Sequence, residues 1–248
     1  MAETESAHAV AEIINEKEPT PTDVVTEETP PVEDTPVETE TRPEAFYENK
    51  SSTVFDSTID FTVKHPLRHT WTLWYTKPQH GGSKSDWGDQ LKEVINFDSV
   101  EEFWGIYNNI PKASELPQKS DYHLFKKSVR PEWEDVQNEN GGKWAYQCRD
   151  KRQVDIDDLW LNTLLGAVGE TLEDEGENEI MGVVVTIRKA HYRISIWTRT
   201  ANNEKALLAI GRRFKELSKL PPSEQVDFSS HKDAATSGSS RAKPRFST

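Results

Sequence analysis

From Gly182 to Thr200 the chain reads GVVVTIRKAHYRISIWTRT, two apolar, β-branched runs around a short polar stretch. Such runs fit the pleated surface of a sheet, and their closeness in sequence makes them neighbouring antiparallel strands of a hairpin. With Lys189–Tyr192 as the loop, Arg188 pairs with Arg193, Thr186 with Ser195 and Val184 with Trp197. Two guanidiniums then stand side by side on one face, and Trp197, four residues from Arg193, shares it. Like charges directly opposed across strands are destabilising. Unless an acid separates them, the pair suits an anion with several oxygens, because guanidiniums fork onto phosphates or carboxylates. A solvated basic strand edge is the competing reading.

The rest of the pattern mixes the strand period with the helix period. HPLRHTWTLWYTKP alternates Trp71, Leu73 and Tyr75 against Thr72, Trp74 and Thr76, a strand bounded by prolines. PQHGGSKSDWGDQ reads as a long polar loop containing Trp87. FDSVEEFWGIYNNI predicts a helix opened by a capping box, Ser99 with Glu102, and carrying Val100, Phe103, Trp104 and Tyr107 on its apolar stripe. DYHLFKKSV and GKWAYQCRD are short strands. DIDDLWLNTLLGAVGE places Ile156, Leu159, Trp160, Thr163, Leu164 and Ala167 at helical spacing, with three aspartates where the helix dipole favours them. NNEKALLAIGRRFKELSKL is a helix with Leu207, Ile210, Phe214 and Leu217 inward. This interleaving predicts a single α+β domain, an antiparallel sheet with helices on one face.

Charge separates an arm from this domain. Residues 1–50 hold 14 acids against 3 bases and 6 of the 14 prolines, the composition of a disordered acidic arm. The arm therefore carries −11 of the formal −13 charge, and the acidic character does not extend to the folded part. Residues 179–219 hold 9 bases against 3 acids, which allows a local basic face. The single cysteine, Cys148, forms no intrachain disulfide and points to a reducing compartment. With no signal segment and no apolar run long enough to span a membrane, a cytoplasmic or nuclear protein is expected. From Pro221 the chain turns polar and Ser-rich, as a mobile loop or tail.

Enzymatic constellations are poor. Asp155, Asp157 and Asp158 stabilise a helix start, the seven histidines show no metal spacing, and there is no P-loop, G-x-G-x-x-G or G-x-S-x-G. No catalysis, metal or cofactor is expected. The tryptophans are more informative: all eight follow residue 50. Trp71 and Trp160 fit core positions, whereas Trp87 and Trp133 sit in polar or acid-flanked segments. There they either bind a flat or cationic partner or fold down as lids over the core.

HPLRHTWTLWY, FDSVEEFWGIYNNI, PEWED, GGKW, LWLNTLLGAVGE and ISIWT occur in the order and approximate spacing of the eukaryotic translation initiation factor 4E family, the messenger RNA cap-binding proteins. The chain resembles that family from about His65 to Leu220, and all eight tryptophans fall at its tryptophan positions. The resemblance implies a curved antiparallel sheet of about eight strands with three helices on its convex face, and a domain order of 1–58 (acidic Pro-rich arm), 59–228 (cap-binding domain) and 229–248 (mobile loop or tail). It implies that Trp87 and Trp133 sandwich the 7-methylguanine of the cap, that Glu134 binds its Watson–Crick edge, and that Trp197 contacts the N7 methyl group. Arg188, Arg193 and Lys143 match positions on the phosphates. On the opposite face His65, Pro66, Val100, Trp104, Leu161 and Leu165 match the surface for a Tyr-x-x-x-x-Leu-hydrophobic helix, carried by the scaffold initiation factor 4G or by competing repressors. Glu132 stands where animal members often carry Met.

The expected function is cap-dependent translation initiation, by a monomer outside its complex. A regulatory cap-binding paralogue that does not recruit the scaffold is the alternative, and retention of Trp104 argues against it. A reader of methylated lysine is a third reading, opposed by the paired arginines, which repel a cationic ligand.

Overall fold

The computed structural model describes residues 64–78, 90–237 and 243–248, which lie in one unit running from Lys64 to Thr248. Its frame is an eight-stranded curved sheet. In chain order the elements are β1 (Pro66–Thr76), β2 (Leu91–Ser99), α1 (Val100–Tyr107), β3 (Asp121–Lys126), β4 (Gly142–Cys148), α2 (Ile156–Val168), β5 (Ile180–Ile187), β6 (Tyr192–Thr198), α3 (Glu204–Leu217), β7 (Asp227–Ser230), α4 (His231–Ser237) and β8 (Phe246–Ser247). The strand order is β2-β1-β3-β5-β6-β4-β7-β8, and every neighbouring pair is antiparallel.

Alternation along the strands assigns the two faces. In β4, Trp144, Tyr146 and Cys148 are buried while Lys143, Ala145 and Gln147 are partly exposed. The buried set joins Trp71, Leu73, Tyr75, Leu124, Val183, Val185, Ile194 and Ile196 in the main core, with Leu159, Trp160, Leu164, Leu207, Ile210 and Phe214 from α2 and α3. The helices start where capping chemistry predicts. Asp155 accepts hydrogen bonds from the backbone N–H groups of Asp157 and Asp158, and Asp157 in turn accepts from Ser114 N and Oγ at 2.8 and 2.6 Å. The aspartate group is thus a cap and a tether. Ser99 caps α1 by accepting from Glu102 N, but the Glu102 carboxylate reaches back to Asp98 N, one residue before the reciprocal partner expected of a capping box.

One glycine decides how closely α3 approaches the sheet. A Cβ on Gly211 would stand 2.7–2.9 Å from three atoms of the Trp144 indole, so only glycine lets α3 lie against that ring. The contact is closed by Trp144 Nε1 donating to Leu207 O at 3.0 Å.

The C-terminal segment departs from the mobile tail expected for 229–248. His231–Ser237 is helical, and Phe246–Ser247 pairs with β7; the backbone ladder continues with Thr248 N to Val226 O at 3.0 Å. Phe246 packs on Phe228 with ring centroids 5.8 Å apart, an apolar anchor absent from the Ser-rich stretch before it. Residues 238–242 and the acidic arm lie outside the described residues.

Candidate cap-binding face

The sheet face turned away from α2 and α3 presents rows of side chains that cross the strands. One row runs Thr72, Phe125, Gly182, Trp197, Lys143, Ser229; two rows further along lie Thr76, Asp121, Thr186, Arg193, Gln147. Trp197 and Arg193 are thus four residues apart on one strand face, about 13 Å.

In the first row the indole of Trp197 is held on both sides. Phe125 meets it edge-on at 5.4 Å, and the His231 ring lies against it at 4.3 Å. Gly182 makes the Phe125 position available, since a Cβ there would sit 2.4–2.6 Å from the Phe125 ring. Next to Trp197, burial and then the Arg193 charge push Lys143 down to about 8. Burial and then Lys143 push His231 down to about 3, so His231 is neutral at neutral pH and adds no charge beside Trp197.

The hairpin register corrects the sequence reading. Arg188 N donates to His191 O at 3.1 Å and Ile187 pairs with Tyr192, so Thr186, not Arg188, faces Arg193 and Val184 faces Ser195. The connection narrows to Lys189 and Ala190, and two-residue loops match strand twist best. The shift also removes the direct opposition of two guanidiniums. Arg188 remains on this face, where Asp121 grips it with two bonds of 2.8 and 3.1 Å. Arg193 donates to Gln147 Oε1 at 3.0 Å. The acid that the sequence reading left open is therefore present. It fixes Arg188 in place and leaves Lys143 and Arg193 on the wall of an adjoining cleft of about 720 Å³, which is also lined by the bases Arg149 and Lys243 and by the acids Asp150, Glu224 and Asp227.

Trp133 and Glu134 lie on the connection from β3 to β4, at the end of the sheet where the Trp197 row stands. Trp133 is 39% exposed and is no lid over the core. Its indole N–H donates to the Glu134 carboxylate, which is itself exposed. Glu132 is engaged by Arg130 in a forked pair of 3.1 and 2.8 Å, and the Arg130 guanidinium lies 5.6 Å over the Trp74 ring. Trp87 lies outside the described residues.

On the other side of the sheet, the six residues matched to a partner surface divide between two regions. Val100 and Trp104 are 39% and 36% exposed, so the α1 stripe expected from periodicity buries only Phe103 fully. Trp104 is steadied by edge contacts with Phe103 and Tyr107 at 5.1 and 5.9 Å. His65 and Pro66 adjoin α1: Val100 N donates to His65 O at 2.9 Å, Pro66 pairs with Ser99, and His65 N donates to Glu101 at 2.8 Å. Leu161 and Leu165 are half-buried and four apart on α2, off its buried stripe.

Residues 66–246 match the model of the eukaryotic initiation factor 4E family. The chain belongs to that family. It is 49% identical over 220 residues to eukaryotic translation initiation factor 4E-1 of Schizosaccharomyces pombe, covering 89% of this chain and 98% of the relative. It is 54% identical over 190 residues to factor 4E of Candida albicans, covering 76% and 90%. Among solved structures it resembles the Ascaris suum eIF4E-3 complex with m7G cap, at 39% identity and a TM-score of 0.66, covering 75% of this chain and 98% of that one. It also resembles the complex of C. elegans eIF4E-3 with the 4E-binding protein Mextli and cap analog, at 38% and 0.67, covering 75% and 100%.

Within this factor 4E fold, two residues of the candidate site escaped the sequence reading. His231 comes to Trp197 from a segment read as tail, and Asn138, fully buried under the Trp133 connection, lies in a run of polar residues that reads as solvated loop. For Asn138 the Gly141–Gly142 pair just after it marks a turn, but no local signal marks a buried amide.

Proposed function

We propose that this factor 4E binds the 7-methylguanosine 5′ cap of messenger RNA across the described face and, through Trp104 and its neighbours, a Tyr-x-x-x-x-Leu-hydrophobic helix of the scaffold factor 4G or of competing repressors, in cap-dependent initiation. The observation that carries this reading is the alignment of Trp197, Lys143, Arg193 and Arg188 along one face, with the exposed Trp133–Glu134 pair at its tryptophan end. An aromatic, acidic end beside a cationic one fits a positively charged base joined to a polyphosphate.

Methylation at N7 spreads a positive charge over guanine, so each facing indole contributes stacking plus a cation–π attraction of roughly 0.5 to 2 kcal/mol. Trp133 supplies one face of the base and Trp87 the other, while Trp197 meets the methyl group. Glu134 accepts from the N1 and N2 hydrogens; such charge-assisted bonds are worth about 1.5 to 3 kcal/mol. Lys143, Arg193 and Arg188 hold the phosphates whatever the base and so set affinity without methyl specificity. Solved relatives are complexes with m7G cap and with 4E-binding proteins, which supports both halves of the reading. The test is intrinsic tryptophan fluorescence during titration with 7-methyl-GTP and with GTP. The methylated nucleotide is expected to bind about 100-fold or more tightly, at 1.4 kcal/mol per decade; equal affinities, or no quenching by either, overturn the cap reading.

Lys143 adds a pH dependence with a definite sign. In the free protein its pKa is held at about 8, so above that pH the ammonium is increasingly lost, whereas bound phosphates keep the proton on. Relative to Lys143→Arg, whose charge does not titrate, the wild-type dissociation constant for 7-methyl-GTP is expected to be level below pH 8 and to rise severalfold, by at most about tenfold per unit, between pH 8 and 9.5. Using the arginine variant as reference cancels ionisation of the nucleotide itself. Parallel profiles for the two proteins, measured by the same titration at each pH, would remove Lys143 from the phosphate contacts.

A further inference from the structure

We infer that Asn138 is a positioning residue for the cap base, which it never touches, and that it acts by locking the backbone that carries Trp133 and Glu134. This rests on the proposed cap reading and deepens it. The side chain is 0% exposed, although it sits in the polar run DVQNENGG. Its Nδ2 donates to Arg130 O at 2.8 Å and to Glu132 O at 2.9 Å, so one amide ties down the carbonyls of the residues on either side of Pro131, the second of which is joined directly to Trp133. Carbonyls only accept, so the amide orientation is dictated by its surroundings.

The same connection is closed on its other side by Asp135. Its carboxylate accepts from Arg130 N at 2.9 Å and from Gln137 N at 2.8 Å, and its carbonyl accepts from Asn138 N at 2.8 Å. Downstream, Gly141 N donates to Asn138 O at 2.8 Å, and Gly141 O accepts from His231 N at 3.0 Å. Asn138 therefore joins the start of the Trp133 turn to Gly141, the residue just before β4, and through Gly141 to the residue that braces Trp197. The Trp133 indole N–H bonds to the neighbouring Glu134 carboxylate, so this bond ties the two side chains to each other and not to the sheet. Their aim is set by this backbone closure, and a ligand binding to the closed turn is spared the cost of ordering it.

Asn138→Asp preserves shape but replaces the donor with an acceptor facing two carbonyl oxygens; Asn138→Ala removes the donor without adding repulsion. Each is expected to weaken 7-methyl-GTP binding by about 10- to 30-fold while the far-ultraviolet dichroism spectrum stays that of the folded domain and the thermal midpoint falls by a few degrees, the cost of two buried carbonyls left without their donor. The decisive arm is a double-mutant cycle with Trp133→Ala. A positioning role predicts that the Asn138 substitution adds less than about twofold once the indole it aims is gone, whereas a general structural role predicts the full additional loss. Wild-type-like affinity of both variants, full additivity in the cycle, or loss of the folded spectrum in both variants each overturns the inference. Failure of the wild-type protein to bind 7-methyl-GTP overturns the cap reading beneath it, a result distinct from tight wild-type binding that the Asn138 variants share.

Discussion

Trp133→Ala is expected to raise the dissociation constant for 7-methyl-GTP by about 10- to 4,000-fold. Removing one stacking partner of a base costs about 1–3 kcal/mol, and the cation–π share of a methylated, positively charged base adds roughly 0.5 to 2 kcal/mol. The effect lies in the base-reading half of the site alone. Binding of plain GTP, which in the proposed reading rests on Lys143, Arg193 and Arg188, is expected to fall by less, so the ratio of the two affinities shrinks along with the absolute one. Because Trp133 is 39% exposed and lies outside the main core, its loss leaves the unfolding midpoint within a few degrees of wild type. Isothermal titration with both nucleotides checks the binding and a thermal melt checks the fold. An unchanged preference for the methylated nucleotide would mean that other groups read the base.

Trp104→Ala is expected to weaken a Tyr-x-x-x-x-Leu-hydrophobic peptide by about 2–4 kcal/mol, or 30-fold and more, while cap affinity changes by less than about twofold. Aromatic side chains presented on a rigid helix are the usual energetic centres of an interface. Trp104 is held by edge contacts to Phe103 and Tyr107, so its indole is already ordered before a partner arrives. The two surfaces lie on opposite faces of the sheet, which is the physical reason for expecting the two affinities to be independent. Peptide titration and a scaffold pull-down, with wild type and variant side by side, check this. Wild-type complexes that hold capped message but no scaffold would shift the reading to a regulatory cap-binding protein.

Several elements were legible in the chain because the forces behind them are local. The helical period of Ile156, Leu159, Trp160, Thr163, Leu164 and Ala167 was reproduced residue by residue, as was the cap at Ser99. Others were not legible. β2 shows no alternation, because as an edge strand its Lys92–Asn96 stretch is exposed on both sides. β7 and β8 have only four and two residues, too few for a period to register. The hairpin between β5 and β6 was recognised but set in the wrong register, since an apolar run on each side fits either spacing.

The sequence by itself determined that an acidic, Pro-rich arm precedes one α+β domain, that α1, α2 and α3 form and where they begin, and, through six collinear segments, membership of the initiation factor 4E family. Only the tertiary structure decided that Trp133 faces outward instead of folding over the core, that Asp121 fixes the Arg188 guanidinium in place, that His231 returns from the C-terminal segment to brace Trp197, and that Asn138 is buried beneath the Trp133 turn. Periodicity and capping arise between residues one to four apart, so a linear reading captures them. Asp121 and Arg188 are 67 residues apart, and Trp144 and Leu207 63; contacts at such separations exist only once the sheet has brought its strands together.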